Sequence, residues 1–291
     1  MEIVYIYALF SNLSFALGTQ VFTHYSRSIS SNWMNAFKAT VGLVGYFLTI
    51  IIFTGWHDIS LSSSAFFLIS GFIGLGIGDM FLLKSFSDLG PGRTLIVFGL
   101  HPLIVGSISY IIFGQEIGPR KFIAIIFFIL CLLTFAREQF KATKSFQFRG
   151  LTYALIGVSL DACGVILTRA AFDNSPAVSG FEGNFYRALG AVSFYLILSR
   201  FKPLHFTQNF LKQTIKGRGM VIIGSILGTY LSLATYLLAV KSGNLATISA
   251  ISITGSIFSS ILECIIDKKW PTKYLMIAFF FFLFGFYFTN W

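Results

Sequence analysis

Apolar segments of about 20 residues recur from one end of this 291-residue chain to the other. A helix of that length spans roughly the 30 Å hydrocarbon core of a bilayer, where only helices and closed barrels satisfy their backbone hydrogen bonds. Charged residues make up 11% of the chain, against roughly a quarter in a soluble domain. The sequence therefore predicts an all-α integral membrane protein.

The apolar windows predict about ten transmembrane helices. They cover, to within a few residues, 3–22, 35–54, 64–87, 94–113, 121–136, 150–172, 183–199, 219–240, 245–266 and 273–290. Two longer connections are basic. Residues 137–149 divide the chain in half, and residues 199–219 alternate apolar and basic side chains, a pattern that favours a helix lying on the membrane surface.

The two halves repeat one design. Three pairs of positions correspond in order and spacing: 7–18 with 153–164, 35–39 with 184–188, and Gly76 with Gly228. Because five helices per half is an odd number, the second half must enter the membrane from the opposite side, which gives an inverted repeat. We expect residues 1–140 and 141–291 to form two inverted five-helix repeats of one domain.

The net charge of +10 comes from Lys and Arg residues between apolar runs. The positive-inside rule explains this distribution, whereas nucleic-acid binding needs a clustered soluble patch. Connections after odd-numbered predicted helices hold fourteen of these residues and the opposite connections hold four, so we expect both termini outside the cell. The three cysteines lie in different apolar segments and predict neither a disulfide nor a metal site.

Ionisable residues inside the apolar segments are the candidate functional residues. Asp79 and Asp161 lie near the middle of the third and sixth predicted helices. Their expected role is a proton or cation relay, or the counter-charge of a substrate amine. The alternative is a structural pair with a Ser, Tyr or Lys of a neighbouring helix. His101 could couple proton movement or remain a neutral hydrogen-bonding group, and Pro102 is expected to bend its helix, for a gate or as tolerated packing.

Three basic residues have mainly structural interpretations. Lys84 lies four residues before Asp88, which would pair with it, and close enough to the helix end to snorkel to the interface. Lys38 and Arg187 occupy matching positions near predicted helix starts. They could reach the interface or a carboxylate such as Glu182, and their matched placement indicates a structural role in the repeat.

Several of these elements together resemble a known family. They are the Gly-Asp pair 78–79, the turn LGPGR at 89–93, the basic residues Lys38 and Arg187 that open the second helix of each half, and Pro102 followed by Glu116 and a basic loop. With these elements, the chain resembles the EamA family of the drug/metabolite transporter superfamily over essentially its whole length. The second half departs from the first, with Thr254 in place of Pro102 and Lys268 in place of Glu116.

The resemblance implies a ten-helix transporter in the cell inner membrane of a bacterium. Its central cavity would be lined by the first, third, fourth, sixth, eighth and ninth helices, with the fifth and tenth peripheral. Asn12, Tyr230 and Tyr236 become cavity candidates because they lie on the first and eighth helices. The peripheral helices could also serve a homodimer. Many family members keep their termini in the cytoplasm, opposite to the charge count here.

The expected function is secondary transport, by alternating access, of a small polar or amphipathic metabolite such as an amino acid, in the direction of export. We expect no enzymatic activity, no cofactor and no metal. A membrane channel remains an alternative, and a scaffold would tolerate the loss of Asp79 and Asp161. The letters GIGD at 76–79 also match the signature of an intramembrane aspartyl protease, but the preceding helix carries no second acid.

Overall fold

The computed structural model describes residues 3–113, 148–243, 254–266 and 270–290, together with scattered positions between 119 and 137 and between 245 and 251, and Lys268. Every regular element in this part of the chain is helical, which confirms the predicted all-α class. The helices are α1 (Ile3–Tyr25), α2 (Ser31–Thr49), α3 (Leu61–Leu89), α4 (Pro91–Val97), α5 (His101–Phe113), α6 (Phe148–Asn174), α7 (Gly180–Phe201), α8 (Phe206–Leu211), α9 (Ile215–Ser242), α10 (Thr254–Ile266) and α11 (Lys273–Asn290).

Five helical stretches within these ranges are long and apolar enough to cross a membrane. They are Ile3–Thr54, Leu61–Leu89, Arg93–Ile112, Phe148–Asn174 and Ile215–Ser242. The helix predicted at 121–136 is described at scattered positions, all of them helical. The residue Glu116, most of the connection 137–149 and the boundary at 140/141 lie outside the described residues.

The first stretch is 52 residues long, and as one straight helix it would measure about 78 Å, more than twice the hydrocarbon thickness. It is divided at Ser30, whose backbone is extended (φ −171°, ψ 152°) and whose side chain accepts a hydrogen bond from the Trp33 amide. A serine in this position satisfies one of the free amides that open a helix. The stretch is therefore two helices, α1 and α2.

Contacts with α9 show that the chain reverses between these two helices. Along α1, Ser11 bonds to Ser232 and Tyr25 bonds to Gly217, so α1 runs antiparallel to α9. Along α2, Gly42 lies beside Thr229 and Thr49 beside Tyr230, while Trp33 bonds to Phe206 just before α9. Helix α2 therefore runs parallel to α9 and opposite to α1.

Glycines allow helices of the two halves to approach closely. Gly71 of α3 lies against the backbone of Arg187 in α7, and Gly190 of α7 lies against the backbone carbonyl of Leu68. Gly18 of α1 crosses Gly228 of α9 in the same way. Small residues at such crossings replace the hydrophobic driving force that lipid removes, so the core of the bundle lies between the halves.

π-Helical turns follow α1 at Ser26–Ser30 and α2 at Ile50–Thr54, and two more lie inside longer helices, Gly71–Gly78 in α3 and Ile226–Leu231 in α9. The segments in α3 and α9 face the interior of the bundle, with Leu75, Gly228 and Thr229 bordering the same cavity. A π-helical turn shifts the side chains after it round the helix, and such turns are frequent at functional sites.

The basic connection at 199–219 contains the short helix α8, where the sequence predicts a surface helix. Its Phe206 and Phe210 stack on Phe37 of α2, with ring centroids 5.7 and 5.3 Å apart. Large apolar side chains cover the outer faces of the longer helices, including Phe53, Ile111 and Phe280. These exposed faces suit contact with lipid.

Candidate functional site

A cavity of about 120 Å³ lies between the two halves. It has room for several water molecules or part of a small metabolite. Its lining comes from both halves and is mixed apolar and polar: Ser11, Asn12, Phe15, Lys38, Leu75, Asp79, Leu82, Leu95, Phe98, His101, Asp161, Arg187, Gly228, Thr229, Ser232, Leu233, Tyr236 and Gly255. The sequence-predicted residues Asp79, His101, Asp161, Asn12 and Tyr236 are all in this set.

Lys38 and Asp79 form a buried ion pair on one side of the cavity. The Nζ atom of Lys38 lies 2.5 Å from Oδ2 of Asp79, and the two side chains are 4% and 12% exposed. The same Nζ lies 5.1 Å from the ring centroid of Phe22. Lys38 therefore reaches a carboxylate, as predicted, but this carboxylate is Asp79 rather than Glu182, and the side chain does not reach the membrane interface.

The depth of Lys38 in the bundle follows from the position at which α2 begins. Because Ser30 caps α2, the helix starts at Ser31, earlier than the predicted residue 35. Lys38 is the eighth residue of α2 and sits about 10 Å along its axis. In α7, Arg187 is also the eighth residue, since the helix begins at Gly180 behind the capping box of Ser179 and Glu182. Both basic residues are thus at the level of the cavity.

His101 and Asp161 form the second acid–base pair, and this pair joins the two halves. The Nε2 atom of His101 lies 3.3 Å from Oδ2 of Asp161. The His101 side chain is 5% exposed, whereas the Asp161 side chain is 27% exposed, and both residues line the cavity. Asp161 is therefore the more accessible of the two cavity carboxylates.

Pro102 follows His101 in the first turn of α5, where a missing backbone N–H leaves no hydrogen bond unmade. A three-residue 3₁₀ segment, Phe98–Leu100, stands between α4 and α5. The helix predicted at 94–113 is thus continuous through a tighter turn immediately before Pro102. Phe98 and His101, on either side of this turn, line the cavity.

Arg187 enters the cavity from α7 and is 1% exposed. Its Nε donates to the Ser70 hydroxyl at 3.1 Å, and that hydroxyl also meets Thr168 Oγ1 and the Gly164 carbonyl at 2.7 Å each. The prediction that Arg187 reaches the interface or Glu182 is wrong, because the guanidinium lies at the centre of the bundle.

Glu182 has other partners at one end of the bundle. It accepts hydrogen bonds from the His57 amide at 2.7 Å and the Ser179 amide at 2.8 Å, and Nδ1 of His57 lies 2.8 Å from its Oε2. Trp56 packs beside this pair on Phe185, with centroids 5.2 Å apart. The loop after α2 is thereby attached to the start of α7.

The same end holds further contacts between the halves and around α9. Ser175 bonds to Ser63 at 2.9 Å. Arg169 donates to the carbonyls of Val240 and Gly243, both at 3.1 Å, and Lys241 donates to the Val178 carbonyl at 2.7 Å. Hydrogen bonds and aromatic packing thus hold this end of the bundle together.

Asn12 and Tyr230 differ in their positions. The Asn12 amide donates to the Ile251 carbonyl at 3.0 Å and lies 3.3 Å from Thr254 Oγ1, at the cavity wall. Tyr230 does not line the cavity among the described residues. It packs on Tyr46 and shares a 2.6 Å hydrogen bond with Thr49. Ordinary helical spacing explains the error: Thr229, Ser232 and Tyr236 share one face of α9 at positions i, i+3 and i+7, whereas Tyr230 lies about 100° round the helix, toward α2.

Lys84 lies outside the cavity lining. Its Nζ is 5.3 and 5.5 Å from the ring centroids of Phe81 and Tyr153. The expected pair with Asp88 is absent from the ion pairs of the described residues. The cation–π contacts with two aromatic faces take its place.

Sequence reasoning missed several cavity residues. Ser11 donates to the Ser232 carbonyl at 2.8 Å, and Thr229 lines the wall beside Gly228. A usable signal was present, since Gly228 corresponds to Gly76 and the polar residues around it mark an interior face. Within the described ranges, no cluster of three or more His, Cys, Asp or Glu residues could hold a metal ion.

The N-terminal half of the chain is similar to a known protein family, and the fold is similar to a solved structure. Residues 2–136 match the EamA-like transporter family. A solved structure described only as "Crystal structure of protein" superimposes with a TM-score of 0.72 over 99% of this chain and 95% of that chain. Its sequence is 14% identical, so the likeness concerns the fold alone. The search of curated protein sequences gives no significant match.

Proposed function

Because residues 2–136 match the EamA-like transporter family of the drug/metabolite transporter superfamily, we propose that this chain is a secondary active transporter. Its substrate is a small polar or amphipathic metabolite, such as an amino acid. Transport proceeds by alternating access around the cavity between the halves, in the direction of export.

The observation that carries this proposal is the cavity itself. Its wall combines apolar side chains such as Leu75 and Phe98 with two acid–base pairs, and both halves contribute. Ionisable residues are costly inside a membrane and face protein interiors or water-filled paths, where they serve ions and substrates. A binding site at the interface of two halves is the usual layout of secondary transporters.

Ten spans in two inverted repeats, 1–140 and 141–291, are part of the proposal. Two equivalences support it. Lys38 and Arg187, matched in sequence, are both the eighth residue of their helices and both border the cavity. Gly76 and Gly228, also matched, both lie in π-helical segments. A repeated sequence that returns the same local geometry is what an internal duplication produces.

Alternating access requires one end to open while the other is closed. The contacts of His57 with Glu182 and of Ser63 with Ser175 support a gate at the end of α2, where the two halves meet. In the proposed arrangement the membrane is a bacterial cytoplasmic membrane, and the Lys and Arg bias supports placing this end and both termini outside the cell. His101 and Asp161 are the proposed proton- or cation-coupling pair.

The test is a two-step assay on purified full-length protein. A thermal-shift screen with amino acids, amines, sugars and nucleosides at pH 6 and pH 8 identifies ligands, since a ligand at 100 times its Kd adds about 2.7 kcal/mol of stability. Counterflow of the radiolabelled hit into proteoliposomes should then saturate with substrate. A flux that rises linearly, accompanied by ionic conductance, would identify a channel and contradict the proposal.

The protease alternative gains no support from the site. An aspartyl dyad needs two carboxylates that share one proton. Here Asp79 contacts Lys38 and Asp161 contacts His101, so each carboxylate has its own basic partner.

A further inference from the structure

We infer that Arg187 is the docking point for a carboxylate group of the substrate, so that the transported molecule is a small carboxylate. This inference rests on the proposed function and assigns a binding role to a residue that the sequence predicts to be structural.

Lys38 and His101 each face a carboxylate of the protein, at 2.5 and 3.3 Å. Arg187 takes part in none of the ion pairs among the described residues. Among the described residues it is the basic side chain of the cavity wall that forms no direct ion pair, and the carboxylates of Asp161 and Asp79 act on it only from a longer distance.

The hydrogen bonds of Arg187 leave one nitrogen of its guanidinium without a partner among the described residues. Its Nε donates to Ser70, but its Nη1 is buried and has no hydrogen-bond partner in the described structure. A guanidinium carries five N–H donors in a planar fork. A buried donor without an acceptor is costly, and an acceptor that enters the cavity with its substrate would remove that cost.

The guanidinium is also fixed in place before any ligand arrives. Ser70 holds Nε, and Ser70 is itself bonded to Thr168 and Gly164. The Arg187 backbone lies so close to Gly71 that a Cβ at residue 71 would clash with it. Such preorganisation reduces the entropic cost of binding.

The unpartnered Nη1 donor of Arg187 favours one class of ligand. A planar guanidinium matches a carboxylate through parallel N–H···O bonds, and a charge-assisted bond of this kind is about twice as strong as a neutral one. An amide or an alcohol offers a neutral acceptor in the same place. The carboxylate is therefore the group that gains most from Nη1.

The experiment compares acids with their primary amides on the full-length protein in detergent. The probes are alanine, serine, leucine and phenylalanine, each with its amide, and propionate with propionamide. Kd is obtained from thermal-shift titrations. At least one acid should bind about ten- to a hundred-fold more tightly than its own amide, because only the acid makes the charge-assisted bond.

Two variants locate the effect. Arg187→Gln should remove the preference for the acid, and Arg187→Lys, which keeps the charge but not the fork, should retain part of it. Arg149→Gln is the matched control, since Arg149 is an exposed arginine that contacts Tyr153 outside the cavity, and it should bind as the wild type does. The acid–amide comparison on the wild type stands by itself if Arg187→Gln fails to fold.

The outcomes separate the two proposals. An amide or amine that binds as tightly as every acid, or an acid preference that survives Arg187→Gln, overturns the role of Arg187 and leaves the transporter proposal standing. An absence of binding by any acid overturns the inference, and an absence of binding by every class in the wider screen removes the support for a substrate cavity as well.

Discussion

Two buried acid–base pairs line the same cavity but differ in how they are held. Lys38 and Asp79 both belong to the N-terminal half, lie 2.5 Å apart and are almost fully enclosed. His101 and Asp161 come from opposite halves, lie 3.3 Å apart and leave the Asp161 side chain 27% exposed. The first pair is therefore enclosed within the N-terminal half, whereas the second pair joins the two halves and remains partly accessible from the cavity.

This difference indicates that the two pairs have different roles, one in stability and one in transport. A carboxylate saturated by a lysine cannot change partner without leaving a buried charge behind, which is costly. A carboxylate that is partly open to a cavity, and whose partner moves with the other half, can exchange that partner for a substrate or an ion. We therefore expect Asp79 to matter chiefly for stability and Asp161 chiefly for transport.

The largest expected effect on stability follows from breaking the closed pair. Asp79→Asn leaves the Lys38 ammonium buried without its counter-charge, which should lower the free energy of unfolding by about 3–5 kcal/mol. Lys38→Met should have a similar effect, because it strands the carboxylate. Denaturation of each variant in detergent measures this loss.

The double variant Lys38→Met with Asp79→Asn sharpens the test. Once both charges are gone, stability should recover to well above either single variant, as when apolar residues replace a buried ion pair. If the two single losses simply add in the double variant, the residues do not act as a pair and the comparison fails.

A smaller effect is expected where the halves touch without charges. At Gly18 a Cβ would lie within 3 Å of the Gly228 backbone, so Gly18→Ala should force α1 and α9 apart and cost about 1–3 kcal/mol. Gly219→Ala is the control on α9, because a Cβ there meets nothing within 4 Å. Thermal unfolding of the two variants side by side measures the difference. Equal unfolding temperatures would mean that the crossing is looser than described.

Much of the fold follows from the sequence, because apolar windows of bilayer length leave helices as almost the only choice. The cavity positions of Asp79, His101 and Asp161 were also predictable, since ionisable residues in such helices avoid lipid. The depth of Lys38 was missed because the predicted helix began at residue 35, one turn after the Ser30 cap.

The remaining errors have local causes. The S-x-x-E pattern at Ser179–Glu182 is a readable capping box that would have set the start of α7 and the depth of Arg187. The orientation of Tyr230 was also readable, because it lies six residues, or about 240° of helical rotation, from Tyr236, so the two side chains cannot share one face of the helix.

Substitution of Asp161 is expected to have the smallest effect on the free energy of unfolding and the largest effect on transport. Counterflow per folded molecule in proteoliposomes, for wild type, Asp161→Asn and Ser159→Ala, tests the central claim most directly. Ser159 is the control, since it lies on the exposed face of α6 and bonds only to the Leu155 carbonyl of its own helix. We predict that Asp161→Asn changes stability by about 1 kcal/mol or less and abolishes counterflow, while Ser159→Ala transports as the wild type does. Wild-type counterflow by folded Asp161→Asn would contradict the account.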